Sequence, residues 1–207
     1  MKPEEWLVPV PRNIYRASVF DRYLSKVTCN SPNWDIVGEA AASLAAASIV
    51  FRTSDYQYHV KLLKHAEELY RFVNNCHGLY FEWLRDKGLP SDTEKVTWPA
   101  AWLYRATNQT KYYLEAKNLI KTFGVSLDER NIEIRSRSGA IQILLAQITK
   151  EKQYLDLVER FCNNHIRNHT KTPKGLLYIP GSHGALPSVA TLAFLCLQVI
   201  LRSFISI

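Results

Sequence analysis

The chain has no closely spaced cysteines. Cys29, Cys76, Cys162 and Cys196 are spread over 207 residues with no Cys-x-x-Cys, which excludes a zinc knuckle. Buried free thiols and a disulfide both stay open, and the compartment is not read from them. No block of five like charges exists either. The formal charge of +7 comes from scattered residues: Arg12, Arg16, Arg22 and Lys26, then Arg130, Arg135 and Arg137, then Arg167, Lys171 and Lys174. Such scatter reads as a solvated surface, so nucleic acid is not an expected partner. No apolar run reaches bilayer length. Leu192 to Leu201 is too short and Arg202 ends it, so no membrane partner is expected. Met1 to Pro9 carries Glu4 and Glu5 and no apolar core, so it does not read as a signal peptide. There is no Gly-rich phosphate loop and no Ser-His-Asp arrangement. His165 and His169 are four apart but no third ligand accompanies them, so they read as a solvated helix end. No cofactor and no metal are expected. Two sequons, Asn108-Gln109-Thr110 and Asn168-His169-Thr170, matter only if the chain enters a secretory path.

What is present is helix. From Gly38 to Ser48 only Glu39 and Leu44 are larger than Ser, and the run is rich in Ala, the best helix former. Asp35 reads as its N-cap. Small side chains nearly all round predict a buried inner helix over 35–52. Asp35 and Glu39 would share a face, and capping and dipole roles account for both. Asp55 opens a second helix, Tyr56 to about Asn75, with Val60, Leu63, Ala66, Leu69, Tyr70 and Val73 on one face and Gly78 as its C-cap. Glu67 and Glu68 read as a charged outer face. Residues 79–92 read as a loop holding Tyr80 and Trp83. Further helices are predicted over about 93–106, 111–123, 138–149, 151–168 and from near 184 or 188 towards 201, with loops at 125–136 and 170–183. Trp98 and Trp102 read as core. Residues 1–34, punctuated by Pro3, Pro9, Pro11 and Pro32, are predicted irregular, with a short helical piece at Ser18–Lys26. The fold class is therefore all-α: about seven helices, alternating as hairpins.

Four segments occur in an order that carries a resemblance: Asp35 to Phe51, Trp98-Pro-Ala-Ala-Trp-Leu-Tyr-Arg-Ala-Thr107, Gln142-Ile-Leu-Leu-Ala146, and Thr172-Pro-Lys-Gly-Leu-Leu-Tyr178. Together they resemble the central part of the glycoside hydrolase family 9 catalytic domain, the endo-β-1,4-glucanases or cellulases. The resemblance implies a partial (α/α)6 barrel, inner and outer helices with a cleft at one end, over 35–207. It implies hydrolysis of β-1,4-glucosidic bonds in cellulose by inversion, with β-1,4-glucan or cello-oligosaccharide as partner, and a family that is often secreted.

Inverting hydrolysis uses one carboxyl as acid and a second, farther one as base. In the family the base lies in an Asp-Ala-Gly-Asp motif upstream of the Ala-rich helix, and the acid is a glutamate near the C-terminus of the domain. Neither motif occurs in these 207 residues, so no catalytic residue is assigned and the chain alone is expected to be inactive. The segment after Tyr178 also departs from the family pattern. Trp-Gly-Ser-Leu-Arg-Tyr-Ala-Ala-Asn is replaced by His183-Gly-Ala-Leu-Pro-Ser-Val-Ala-Thr191, which keeps packing positions and loses sugar-contacting ones. His183, Trp83 and Tyr80 are the candidate substrate-binding residues, although aromatics at 80 and 83 would equally cover a core edge. The alternative function is a non-catalytic carbohydrate-binding or scaffold protein. Inner helices without a full ring of neighbours would expose apolar faces, so self-association is expected.

Overall fold

The computed structural model describes residues 27–29, 34–86, 94–123, 137–168, 170–178 and 185–205. The chain divides into two compact units, Met1–Pro32 and Asn33–Ile207. The predicted irregularity and helical piece of residues 1–26, and the loop at 125–136, lie outside the described residues.

Seven helices make up the described part of the second unit: α1 (Trp34–Phe51), α2 (Tyr56–Asp86), α3 (Glu94–Thr107), α4 (Thr110–Phe123), α5 (Ser138–Thr149), α6 (Lys152–Asn168) and α7 (Ala185–Ile205). Apart from isolated bridges at Thr28 and between Lys171 and Leu177, no strand is assigned among the described residues. α1 packs against α2 and α3, α3 against α4 and α5, and α5 against α6 and α7. The odd-numbered helices are inner and the even-numbered ones outer, and together they form part of an (α/α)6 barrel.

Inner and outer helices differ as their sequences require. α5 buries every residue from Ser138 to Ala146 except Ala140, and Ile141, Leu144 and Leu145 form a core with Ala101 and Tyr154. Trp98 and Trp102, edge to face with ring centroids 5.6 Å apart, pack on that core as predicted. α6 buries only Tyr154, Val158, Phe161, Cys162 and His165, one stripe at spacings of three and four. Outer helices α2 and α4 are joined by a crossed pair. The Tyr70 hydroxyl donates to Glu115 at 2.7 Å, and the Tyr112 hydroxyl donates to Glu67 at 2.8 Å. Burial, and then the Glu115 carboxylate, push the Tyr70 phenol well above its ordinary range, so it stays a donor. Glu67 is thus engaged rather than merely solvated, whereas Glu68 lies on the surface beside Lys64 and His65.

Several expectations need correction. α2 runs through Gly78 to Asp86, so Tyr80 and Trp83 stand on a helix and not in a loop. One glycine costs a helix only about 1 kcal/mol, and the neighbouring Leu79, Glu82, Leu84 and Arg85 are good helix formers. The strong breakers come later, at Gly88 and Pro90. The buried face of α2 holds His59, Leu62, Ala66, Tyr70, Val73 and Cys76, while Val60 points outward at 46% exposure. Asp55 does cap α2: its Oδ1 accepts the Tyr58 N–H at 2.9 Å. Asp35, by contrast, falls inside the first turn of α1, which starts one residue earlier. α1 is not buried all round. Ala41, Ala42, Ala45 and Ser48 are covered, but Ile36 is 63% and Val50 71% exposed. His165 is fully buried against the Phe161 ring, 4.3 Å between centroids, and not at a solvated end. Among the described residues no cysteine is a free thiol, and Cys162 on α6 is bonded to Cys196 on α7.

The small residues of α1 set how close α3 comes. A Cβ at Gly38 would overlap the carbonyl oxygen of Lys95 and stand 3.2 Å from its carbon. Both atoms are backbone, so neither yields without moving α3. Gly38→Ala should therefore lower stability by about 1–3 kcal/mol, the range for overpacking a tight site. This outweighs the helix-propensity gain of roughly 1 kcal/mol from replacing glycine. The urea midpoint of the variant against the parent measures it, and an unchanged or higher midpoint would contradict the close approach.

Candidate functional site

The two ends of the helical layer are built differently. At one end the connections between paired helices are short: 52–55, 108–109 and 150–151, of four, two and two residues. At the other end they are long: 87–93, 124–137 and 169–184, of seven, fourteen and sixteen residues. Long segments on a rigid scaffold are where binding groups are usually held. The helices enforce this asymmetry, because each short link returns an inner helix to its outer partner. All the N-termini of α3, α5 and α7 therefore meet the long-segment end.

The short end is closed by packing and backbone bonds. Arg52 donates from Nη2 to the carbonyl of Ala106, tying the turn after α1 to the last turn of α3. His59 Nδ1 lies 2.6 Å from the carbonyl oxygen of Ser48, which joins α2 to α1. Asn108 and Lys150 take left-handed conformations, φ 56° and 60°, and make the two-residue turns possible.

The long-segment end carries a polar chain across three inner helices. Glu94, first residue of α3, faces the N-terminus of α5. Its Oε1 accepts the Ser138 hydroxyl at 2.7 Å, and its Oε2 accepts the Arg137 backbone N–H. The Arg137 side chain donates from Nε to Glu39 Oε1 on α1 at 2.9 Å. A carboxylate at a helix start satisfies otherwise unpaired N–H groups and meets the positive end of the helix dipole. Both acids are occupied in holding helices together. A general acid or base must instead present its carboxyl to the reacting group, so this chain of contacts acts as a rigid rim.

In the long connection after α6, residues 170–178 fold back on themselves. The Tyr178 N–H donates to the Thr170 carbonyl at 2.9 Å, and the Thr172 N–H donates to the Leu176 carbonyl at 2.7 Å. Gly175 at the turn has φ 84°, a conformation that favours glycine. Tyr178 is left half exposed at the long-segment end. The sequence marked Tyr178 only as part of a shared segment; its place at the base of the fold-back, opposite Thr170, appears only in the structure.

Of the predicted site residues, Tyr80 and Trp83 lie on the last two turns of α2, at the long-segment end. His183 lies outside the described residues, in the connection that enters α7. In the replaced segment, Ser188 is buried, Pro187 is exposed, and the Thr191 hydroxyl donates to the Pro187 carbonyl at 2.9 Å. Glu94 and Arg137 are the residues that sequence reasoning missed. Nothing in the spacing of 39, 94 and 137 announces that they meet, because only the packing of three helices brings them together.

The model of the family described as glycosyl hydrolase family 9 matches residues 4–202. "Endoglucanase 19" of Arabidopsis thaliana is 32% identical over 179 residues, covering 76% of this chain and 28% of its own length. The solved endoglucanase of the termite Nasutitermes takasagoensis superposes with a TM-score of 0.72 at 38% identity, covering 86% of this chain and 43% of the termite chain. The cellulase Cel9M of C. cellulolyticum, solved with cellobiose, superposes at 0.60 with 24% identity, covering 86% of this chain and 46% of its own, a likeness of fold alone. The chain thus spans between about a quarter and a half of the length of these relatives.

The rim makes a testable claim about α5. Glu94→Ala removes an acceptor from two donors at a helix start and should cost about 1–2 kcal/mol, as for loss of a helix cap. Glu94→Gln keeps one acceptor and should cost less. Denaturant midpoints of both variants decide it; equal, negligible losses would show that Glu94 does not hold α5.

Proposed function

The chain belongs to glycosyl hydrolase family 9, and from that premise we propose that its helices are the scaffold of an endoglucanase-type domain acting on internal β-1,4-glucosidic bonds. The observation that carries this reading is the termite endoglucanase likeness, 38% identity with a TM-score of 0.72 over 86% of this chain. The substrate is a β-1,4-glucan or cello-oligosaccharide, consistent with the cellobiose bound by a fold relative. Tyr80, Trp83 and His183 are the proposed sugar-contacting residues, because the segments that carry them lead into the long-segment end.

On this reading the 207-residue chain does not itself cut. It contains no Asp-Ala-Gly-Asp, and the acids at the rim, Glu39 and Glu94, are engaged with Arg137 and Ser138. Inversion needs two carboxyls on opposite faces of the sugar, one free to protonate and one free to activate water. The second reading, a non-catalytic carbohydrate binder, is favoured by the replacement of the Trp-to-Asn segment with His183–Thr191. The purified chain should show no turnover of carboxymethyl-cellulose, and any turnover that survives repurification overturns the inactivity. Titration of the same protein with cello-oligosaccharides separates scaffold from binder. A saturable shift in tryptophan fluorescence that Trp83→Phe removes supports the binder, and a flat signal supports the scaffold.

Self-association follows from the same premise. Inner helices α1 and α7 expose Ile36, Val50, Leu186, Phe194 and Leu197, the last three on one stripe of α7 at spacings of eight and three. The isolated chain is expected to sediment as a dimer or larger species. A monodisperse monomer across the micromolar range would remove this expectation.

A further inference from the structure

We propose that Asn108 is an N-glycosylation site, carrying an oligosaccharide on the face of the molecule opposite the long-segment end. Three independent observations lead to it. The first is the sequence, Asn108-Gln109-Thr110, the acceptor pattern with a residue other than proline in the middle. The second is the redox state. Among the described residues no cysteine is a free thiol, and Cys162 and Cys196 form a disulfide buried between an outer and an inner helix. Disulfides persist in oxidising compartments and are rare where thiols are kept reduced. The compartment that makes them in a eukaryotic cell is also the one that glycosylates. The third is placement. Asn108, Gln109 and Thr110 are all exposed, and Asn108 sits in the left-handed turn between α3 and α4.

The second sequon contrasts with the first. Asn168 ends α6, and its side-chain amide donates to Asn164 Oδ1 at 2.5 Å along the helix. That nitrogen is committed to a neighbour one turn back. It also stands at the long-segment end, where a bulky glycan would crowd residues 170–178. Asn108 has neither feature: its turn is at the short end, away from Tyr178 and from the Glu39–Arg137–Glu94 chain. A glycan there adds hydrophilic bulk without covering the proposed cleft.

The transfer is from a lipid-pyrophosphate-linked oligosaccharide. The Asn108 amide nitrogen loses one proton and bonds to the anomeric carbon of the first sugar. The bond from that carbon to the pyrophosphate oxygen breaks, and the lipid pyrophosphate leaves with the electron pair. No oxidant or reductant takes part.

The test uses the protein isolated from its source organism, together with the full chain produced through a eukaryotic secretory route. Treatment with peptide N-glycosidase in heavy-oxygen water should increase gel mobility and convert Asn108 to labelled aspartate. Thr110→Ser, which preserves the acceptor pattern, should keep the shift. Thr110→Ala, which leaves Asn108 and its turn in place, should abolish it. The proposal is overturned if the untreated protein already runs at its bare mass, if the label appears at Asn168 and not at Asn108, or if the shift survives undiminished in Thr110→Ala. Alkylation of the protein from its source organism adds a separate check: four reactive thiols would place it in a reducing compartment and also overturn the proposal.

Discussion

The distance between α1 and α3 governs this molecule. A helix surface made of Gly38, Ala41, Ala42 and Ala45 lets a second helix come so near that the Lys95 carbonyl occupies the space a side chain would need. Close packing at that seam gives dispersion contacts that bulkier residues could not make without separating the helices. The same seam fixes the position of Glu94, one residue before Lys95, and therefore where the α3 carboxylate meets the start of α5. A change of spacing at glycine would travel through Glu94 to Arg137 and back to Glu39 on the first helix.

The two ends of the layer divide the labour. One end is finished with tight turns, left-handed residues and bonds from Arg52 and His59 to backbone carbonyls. The other end receives every long connection, and there the start of α5 is held by the Glu94 carboxylate. Rigidity at the first end frees the second to vary, and the sequence departures from the family pattern at His183–Thr191 lie in and just beyond a long connection. Tyr70 and Tyr112, crossed with Glu115 and Glu67, brace the outer layer away from the long-segment end.

Much of the architecture could be read from residues whose local chemistry has one answer. The Ala-rich run, the Asp55 cap and the segment 138–149 each read as helix before any packing is known. The ordered segments around Trp98, Gln142 and Thr172 pointed to the family that the comparisons bear out. What escaped depends on neighbours. Gly78 stays helical because good helix formers surround it, where an isolated glycine reads as a stop. His165 is buried because Phe161 and the outer-helix stripe face the core, which a count of titratable groups does not reveal. The rim of Glu39, Glu94 and Arg137 spans 98 residues of chain and is created by tertiary packing alone.

The bond between Cys162 and Cys196 spans a separation of 34 residues that includes the entire sixteen-residue connection into α7. Within it Pro173, Lys174 and Gly175 lie at the surface, open to enzymes that sever backbones. A single scission there leaves α6 and α7 covalently one body, able to keep their register while the severed strand ends open outward. Nicked and intact molecules would then differ only after the sulfur bridge is reduced.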